Sequence, residues 1–288
     1  MKRARSWFLV LVAILLSTQA WARLKVVYPN VNEAGAAAFG YAALKLALEN
    51  SGKEFDLSVS AERINNERIR ALIKEKTISI SDFGTSPEYE RDLLPIHFPI
   101  DLGLNGWRIF LVHEKTRPIF QAATGIDDLR KLRAGQGVGW SDVKILEHAG
   151  LPVDLAPSMS NLFRMAEARR FDYFPLGANE AHSLLEQYRQ HSPSLGVEGQ
   201  LVLVYPFGRL FFVHKDNIEL HDAVLAGLVK SFENGGFQKL LRTHESTAAL
   251  FTRANLKSRR QIHIDNPFLT REFRKIPRKY FFNLKMLD

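Results

Sequence analysis

Segments with strand and helix character alternate along most of this chain, and this alternation constrains its fold more than any other feature. Leu24 to Tyr28 is typical of a buried strand, and the helix predicted over residues 38–48 ends at Ser51-Gly52. A charged amphipathic helix over residues 62–75 and a strand containing Ile78 and Ile80 follow. Similar pairs continue to about residue 237, so the pattern predicts an α/β architecture.

The first 22 residues have the layout of a secretory signal. A basic start precedes an apolar core from Trp7 to Leu16, and Ala20-Trp21-Ala22 offers a small-x-small cleavage pattern. The apolar core is too short to span a bilayer. We therefore predict that residues 1–22 are cleaved and that the mature chain, from Arg23, works in the periplasm. An uncleaved membrane anchor is the alternative.

Composition excludes several kinds of site. The chain has no cysteine, so disulfides, thiolate nucleophiles and zinc fingers are ruled out. The nine histidines are scattered, and we expect neither a metal nor a cofactor. Basic residues outnumber acidic ones in this chain, and the excess is concentrated at its end. Between Arg253 and Asp288 there are ten Lys and Arg but three Asp and Glu. This basic end could contact anionic lipid or an acidic partner, or be a solvated surface. Export argues against a nucleic-acid partner.

A polar loop follows the third predicted strand and carries the strongest candidate ligand-binding residues. It contains Gly84, two hydroxyl side chains (Thr85 and Ser86) and Arg91. A planar, permanently charged guanidinium beside hydroxyl and backbone donors suits a small carboxylate or a similar anion. We predict that these four residues bind the ligand.

Four stretches of the chain together resemble one protein family. Thr85 to Arg91 reads Thr-Ser-Pro-Glu-Tyr-Glu-Arg, and Arg130 to Ile145 contains a glycine turn before a helix. Arg170 to Phe174 reads Arg-Phe-Asp-Tyr-Phe, and Phe212 to Phe237 is a strand and helix ending in Glu-Asn-Gly-Gly-Phe. Between about Leu24 and Leu241 the chain resembles the periplasmic solute-binding proteins of polar amino-acid importers, the histidine- and glutamine-binding type of extracellular solute-binding protein family 3.

This resemblance implies a type II periplasmic-binding-protein fold, in which two α/β lobes enclose a ligand cleft. Lobe one would comprise residues 23–103 plus 207–288, and lobe two residues 104–206, joined by two crossing segments. We expect Arg108 and Arg209, at the crossings, to form ion pairs at the hinge; the alternative is that they are extra donors to an anion. Ligand binding would close the hinge. The resemblance also implies a monomer whose partner is an ABC-type permease at the inner membrane.

The resemblance assigns roles to residues of the first lobe. Arg91 stands where the family's arginine grips the ligand carboxylate, and Gly84 and Ser86 match contact positions before it. Aromatic rings wall the ligand in this family. Tyr28 and Trp140 follow predicted strands at the edge expected to face the cleft, and they are our candidates for those walls.

In the second lobe the chain departs from the family pattern. Ser141-Asp142 replaces a Gly-Thr pair, and the aspartate would repel a carboxylate unless it turns away to cap the helix. Gly177 stands at the position of the family's amine-binding aspartate. Asn179 and Glu180 are close enough in sequence to substitute for it. We therefore predict Ser141, Asp142, Gly177 and Glu180 as second-lobe ligand contacts.

Two other functions stay open at this point. The cleft could sense a ligand for a membrane sensor protein, with the basic extension beyond Thr243 as a docking element. Alternatively, Asp142 or Glu180 could act as the general acid of a dehydratase with the same fold. No Gly-x-Ser-x-Gly or His-Glu-x-x-His motif occurs in the sequence, and we predict a protein that is not an enzyme. We expect the extension to pack on lobe one.

Overall fold

A computed structural model describes residues 23–30, 35–63 and 66–288 of the protein. The predicted signal over residues 1–22 lies outside the described residues. Within the described ranges we find no helix with the length and apolar character needed to cross a membrane.

Strands and helices alternate as the sequence predicts. The strands are β1 (Leu24–Asn30), β2 (Phe55–Arg63), β3 (Ile80–Gly84), β4 (Leu94–Ile96), β5 (Trp107–His113), β6 (Ala134–Gly137), β7 (Val153–Ala156), β8 (Tyr173–Gly177), β9 (Leu195–Val197), β10 (Leu201–Val204), β11 (Arg209–Val213) and β12 (Arg260–His263). The helices are α1 (Phe39–Asn50), α2 (Asn66–Lys74), α3 (Pro87–Asp92), α4 (Arg117–Ala122), α5 (Ile126–Leu129), α6 (Asp142–His148), α7 (Met159–Glu167), α8 (Ala181–Gln187), α9 (Ile218–Glu233), α10 (Gly236–Thr243) and α11 (Ala249–Thr252).

Two small sheets form the first lobe. Strands β1 and β2 pair in parallel, and β11 pairs with β3 and β4 in antiparallel orientation. The backbone of Ser79 donates to the carbonyl of Val27 at 3.0 Å, which joins the two sheets. Helix α1 packs against α9, where a Cβ on Gly227 would lie 1.8 Å from the carbonyl oxygen of Ala47. A glycine is therefore required for this close helix contact.

A seven-stranded sheet forms the second lobe. Its order is β12-β10-β5-β8-β6-β7, with β9 also paired to β5. Every residue of β8 is buried, because helices cover both faces of the central strands.

Residues 99–106 and 205–209, which run between the first-lobe and second-lobe sheets, lie side by side. The backbone N–H of Tyr205 donates to Gly106 and that of Ile100 donates to Arg209, both at 2.9 Å. The Asp101 carboxylate accepts hydrogen bonds from the backbone N–H groups of Gly103, Asn105 and Arg209 at 2.9 to 3.1 Å. A Cβ on Gly106 would lie 2.1 Å from the carbonyl oxygen of Tyr205. One buried carboxylate therefore holds both crossings together.

The C-terminal extension contacts both lobes. Its strand β12 pairs in parallel with β10 and extends the second-lobe sheet. Farther along, Thr270 Oγ1 donates to Glu90 of α3 at 2.7 Å, and the backbone of Phe282 donates to Leu102 at 2.7 Å. The expectation that the whole extension packs on lobe one is therefore wrong for β12, because the open edge of β10 accepts it. The remaining residue ranges of the two lobes stay a prediction.

Candidate functional site

Two adjoining cavities of about 220 and 540 Å³ lie between the lobes. They share five lining residues, two from the first lobe and three from the second: Asp82, Arg209, Met159, Glu180 and Leu184. We call these two cavities together the cleft. A third space, of about 600 Å³, opens beside it between α2, α3 and α6 and shares Tyr89, Trp140 and Ser141 with the smaller cavity.

A tyrosine, an aspartate and an arginine form a hydrogen-bonded triad on the first-lobe side of the cleft. The Tyr28 hydroxyl donates to Asp82 Oδ1 at 2.5 Å, and Arg209 donates to Asp82 Oδ2 from Nε at 2.8 Å and from Nη2 at 2.5 Å. Burial and the Asp82 carboxylate raise the pKa of Tyr28, so its hydroxyl stays protonated and donates. Gly40 allows this approach, because its Cβ would lie 2.4 Å from the tyrosine oxygen.

A triad of the same composition lies on the second-lobe side. Arg108 Nε donates to the Tyr205 hydroxyl at 2.9 Å, and that hydroxyl donates to Asp142 Oδ1 at 2.5 Å. Arg108 Nη2 donates to the same carboxylate. Burial alone would lower the pKa of Arg108, but Asp142, Tyr205 and Glu180 raise it, and the guanidinium keeps its charge. Each cleft guanidinium is therefore already paired with a carboxylate.

Three side-chain oxygens gather around Gly177 at the end of β8. Glu180 Oε1 accepts from the Gly177 backbone N–H at 3.3 Å. A Cβ on Gly177 would lie 2.7 Å from Asn179 Oδ1 and 3.2 Å from Asn105 Oδ1. Both amide side chains are buried, and both oxygens lack a hydrogen-bond partner in the described part of the chain. Buried acceptors of this kind are costly unless water or a bound molecule satisfies them.

Carboxylates outnumber cationic groups in the cleft. Among the described residues that line it, five carboxylates face two guanidiniums: Asp82, Asp101, Asp142, Glu180 and Glu245 against Arg108 and Arg209. The formal charges of the described residues that line the cleft therefore sum to a negative value.

The structure places three of the four predicted loop residues outside the cleft: Arg91 on the surface, and Thr85 and Ser86 at the adjoining 600 Å³ space. The Arg91 side chain is 69% exposed, pairs with Asp92 at 3.3 Å and does not line the cleft. Ser86 Oγ accepts from the backbone of Tyr89 and caps α3, while Thr85 donates to Glu90 at 2.5 Å. Gly84 does line the smaller cavity. The hydroxyls of this loop serve local structure, and Arg91 is not positioned to bind a ligand in the cleft.

The predicted second-lobe residues lie closer to the centre of the cleft. Trp140, Ser141, Asp142 and Glu180 line the smaller cavity. The Asp142 carboxylate does not cap α6 and instead accepts hydrogen bonds from Arg108 and Tyr205. Gly177 contributes its backbone N–H to Glu180.

Tyr28 also lines the cleft, but it is 3% exposed and acts through its hydroxyl, so it is not an aromatic wall. The sequence reasoning missed Asp82 and Asn105 as cleft residues and Tyr205 as the partner of Asp142. A charged residue inside the short strand β3 was the available signal for Asp82.

Comparison with known proteins gives matches among solved structures alone. No protein-family model matches the chain. No curated protein matches it either.

An ancestral arginine-binding protein bound to arginine is 14% identical, with a TM-score of 0.56 over 77% of this chain and 98% of that chain. The substrate-binding protein of an amino-acid ABC transporter is 13% identical, with a TM-score of 0.54 over 76% of this chain and 98% of that chain. A histidine kinase sensor domain similar to periplasmic binding proteins is 13% identical, with a TM-score of 0.56 over 77% of this chain and 96% of that chain. These likenesses show that the chain has the two-lobe, type II periplasmic-binding-protein fold that its sequence resembles.

Proposed function

We propose that this protein is an exported solute-binding protein that captures a small polar ligand between its lobes and closes over it by a hinge motion. The observation that carries the proposal is the pair of tyrosine–aspartate–arginine triads whose aspartates and arginines line one cleft from opposite lobes. A ligand that contacts both sides would favour the closed arrangement over an open one. The unpartnered Asn105 and Asn179 oxygens support a site that is completed by a ligand.

Import is the role that we propose for this binding. One of the similar structures is the substrate-binding protein of an amino-acid ABC transporter. The protein would then act as a monomer in the periplasm and deliver its ligand to an inner-membrane permease. The proposed function includes no reaction, and Asp142, one candidate general acid, is engaged by Arg108 and Tyr205.

Ligand sensing is the second candidate, because a histidine kinase sensor domain superposes on this chain as well as the arginine-binding protein does. Deleting the gene separates the two roles. Loss of ligand uptake by the cells supports import, whereas intact uptake with an altered transcriptional response to the ligand supports sensing.

A thermal-shift screen of small polar molecules tests the binding proposal. A ligand at 100 times its dissociation constant adds about 2.7 kcal/mol to the free energy of unfolding. Met159 lines both cavities, so Met159→Trp should fill the cleft and abolish the shift. Ile218→Trp is the control, because Ile218 is 51% exposed on α9 and lines neither cavity. A shift that survives Met159→Trp would contradict the proposal.

A further inference from the structure

The oxygen cluster at Gly177 has the chemistry of a site for a hydrogen-bond-donating cation. Its members are Asn105 Oδ1, Asn179 Oδ1 and the Glu180 carboxylate. The two asparagine side chains are 5% and 7% exposed, and their oxygens have no partner in the described chain. The Glu180 side chain is 27% exposed and reaches the cleft, where it lines both cavities.

A primary ammonium group fits this cluster better than other polar groups do. It carries one positive charge, three N–H donors and no acceptor. The cluster offers one negative charge and three oxygen acceptors. A carboxylate or phosphate would face the Glu180 charge and the two amide oxygens here. A neutral hydroxyl would add no positive charge beside Glu180, whose cationic neighbours are Arg108, with Nη1 3.9 Å away, and Arg209, whose pKa the Glu180 carboxylate helps to raise.

Both cations among the described residues that line the cleft are already engaged by aspartates. Arg209 directs Nε and Nη2 at Asp82, and Arg108 directs Nη2 at Asp142. A carboxylate placed beside either guanidinium would also lie beside the aspartate that already pairs with it. The other carboxylates of the cleft, Asp101 and Glu245, add to that repulsion.

We infer that the cleft selects a small primary amine that carries no carboxylate, with its ammonium group held by Glu180, Asn105 and Asn179. This inference rests on the proposed function, since it names the ligand class of the same cleft. It replaces the anionic or zwitterionic ligand that the sequence suggested, because that expectation depended on Arg91.

Matched ligand pairs that differ only in a carboxylate test the inference. Isothermal titration calorimetry of the full mature chain would compare agmatine with arginine, cadaverine with lysine, and putrescine with ornithine. We expect at least one amine to bind at least ten-fold more tightly than its amino acid. Equal or tighter binding of the amino acids would overturn the inference and leave the proposed function intact.

Substitutions then locate the ammonium group. Glu180→Gln keeps the size of the side chain and should weaken amine binding at least ten-fold, because it removes the charge that faces the ammonium. Glu186→Gln is the matched control, because Glu186 lies in α8, the helix that follows Glu180, is 54% exposed and pairs with Arg253. Unchanged amine affinity in Glu180→Gln would overturn the assignment. Equal stabilisation by sodium or calcium chloride at the same concentration would overturn it too.

A failure of the proposal that the cleft binds a ligand can be distinguished from a failure of the ammonium-site inference. If Met159→Trp left the binding of the best ligand unchanged, the cleft itself would be excluded as the binding site, and the ammonium site would fall with it.

Discussion

Replacing Asp142 by asparagine should destabilise the protein much more than the same change at Asp82. Asp142→Asn keeps an oxygen that can accept from Tyr205 but leaves the Arg108 guanidinium, whose side chain is only 3% exposed, without its close counterion. Removing one partner of a buried ion pair costs about 3–5 kcal/mol. Glu180, 3.9 Å from Arg108, offsets part of this, so we expect a loss of about 3 kcal/mol.

Asp82→Asn is the internal comparison, because the two triads have the same composition. The Arg209 side chain is 38% exposed, so water solvates much of the unpaired charge, and we expect a loss of about 1 kcal/mol. Urea unfolding followed by tryptophan fluorescence measures both losses as shifts of the midpoint at constant slope. Arg108→Met combined with Asp142→Asn should recover part of the stability, because the unpaired charge is gone. Equal losses at Asp142 and Asp82 would refute the reasoning from burial.

Three further predictions concern contacts outside the triads. Lys144 donates to Glu88 across the lobes at 2.7 Å and lowers the pKa of Glu88 to about 2, so Lys144→Ala should raise that pKa toward 4.5 in an NMR titration. The ion pair that lowers this pKa stabilises the fold fully above pH 4.5, and this stabilisation is lost as the pH falls through 2. The Lys144→Ala variant should therefore be less stable than the wild-type protein at pH 6 and as stable as the wild type below pH 2. If the substitution left the pKa of Glu88 unchanged, this prediction would be wrong. Gly227→Ala should lower the free energy of unfolding by at least about 3 kcal/mol, because the new Cβ would collide with the backbone of Ala47. This loss outweighs the gain of about 1 kcal/mol from helix propensity. Gly199→Ala is the control: there is open space around Gly199, so stability should change by less than about 0.5 kcal/mol in the same urea assay. Phe282→Ala should cost about 3 kcal/mol by removing a buried ring of the C-terminal extension, and a loss below about 1 kcal/mol would show that the extension contributes little.

The alternation of apolar strands and amphipathic helices was sufficient to predict the α/β class, and the resemblance supplied the two-lobe arrangement. Apolar periodicity reports which residues are buried, and it predicted elements such as β1, α1 and α9 well. It does not report which strand edge a distant segment joins. The apolar residues of the C-terminal extension therefore predicted burial, while the pairing of β12 with β10 required the structure.

The site was harder to predict because its partners are distant in sequence. Asp142 and Arg108 are 34 residues apart, and Asp82 and Arg209 are 127 apart. Sequence spacing shows neither pair. Arg91 was prominent because it lies in a polar loop with hydroxyls, yet it sits in the last turn of α3, beside Asp92, and points into solvent. Asp142 was expected at a helix start, and it is there, but its carboxylate turns to the buried guanidinium.

A crystal structure of the protein with its tightest ligand from the thermal-shift screen tests the central claim most directly. The account predicts ligand density between the two triads, in contact with both lobes and with a nitrogen within about 3 Å of Glu180. Density confined to the neighbouring 600 Å³ space, or on the outer surface next to Arg91, would contradict it.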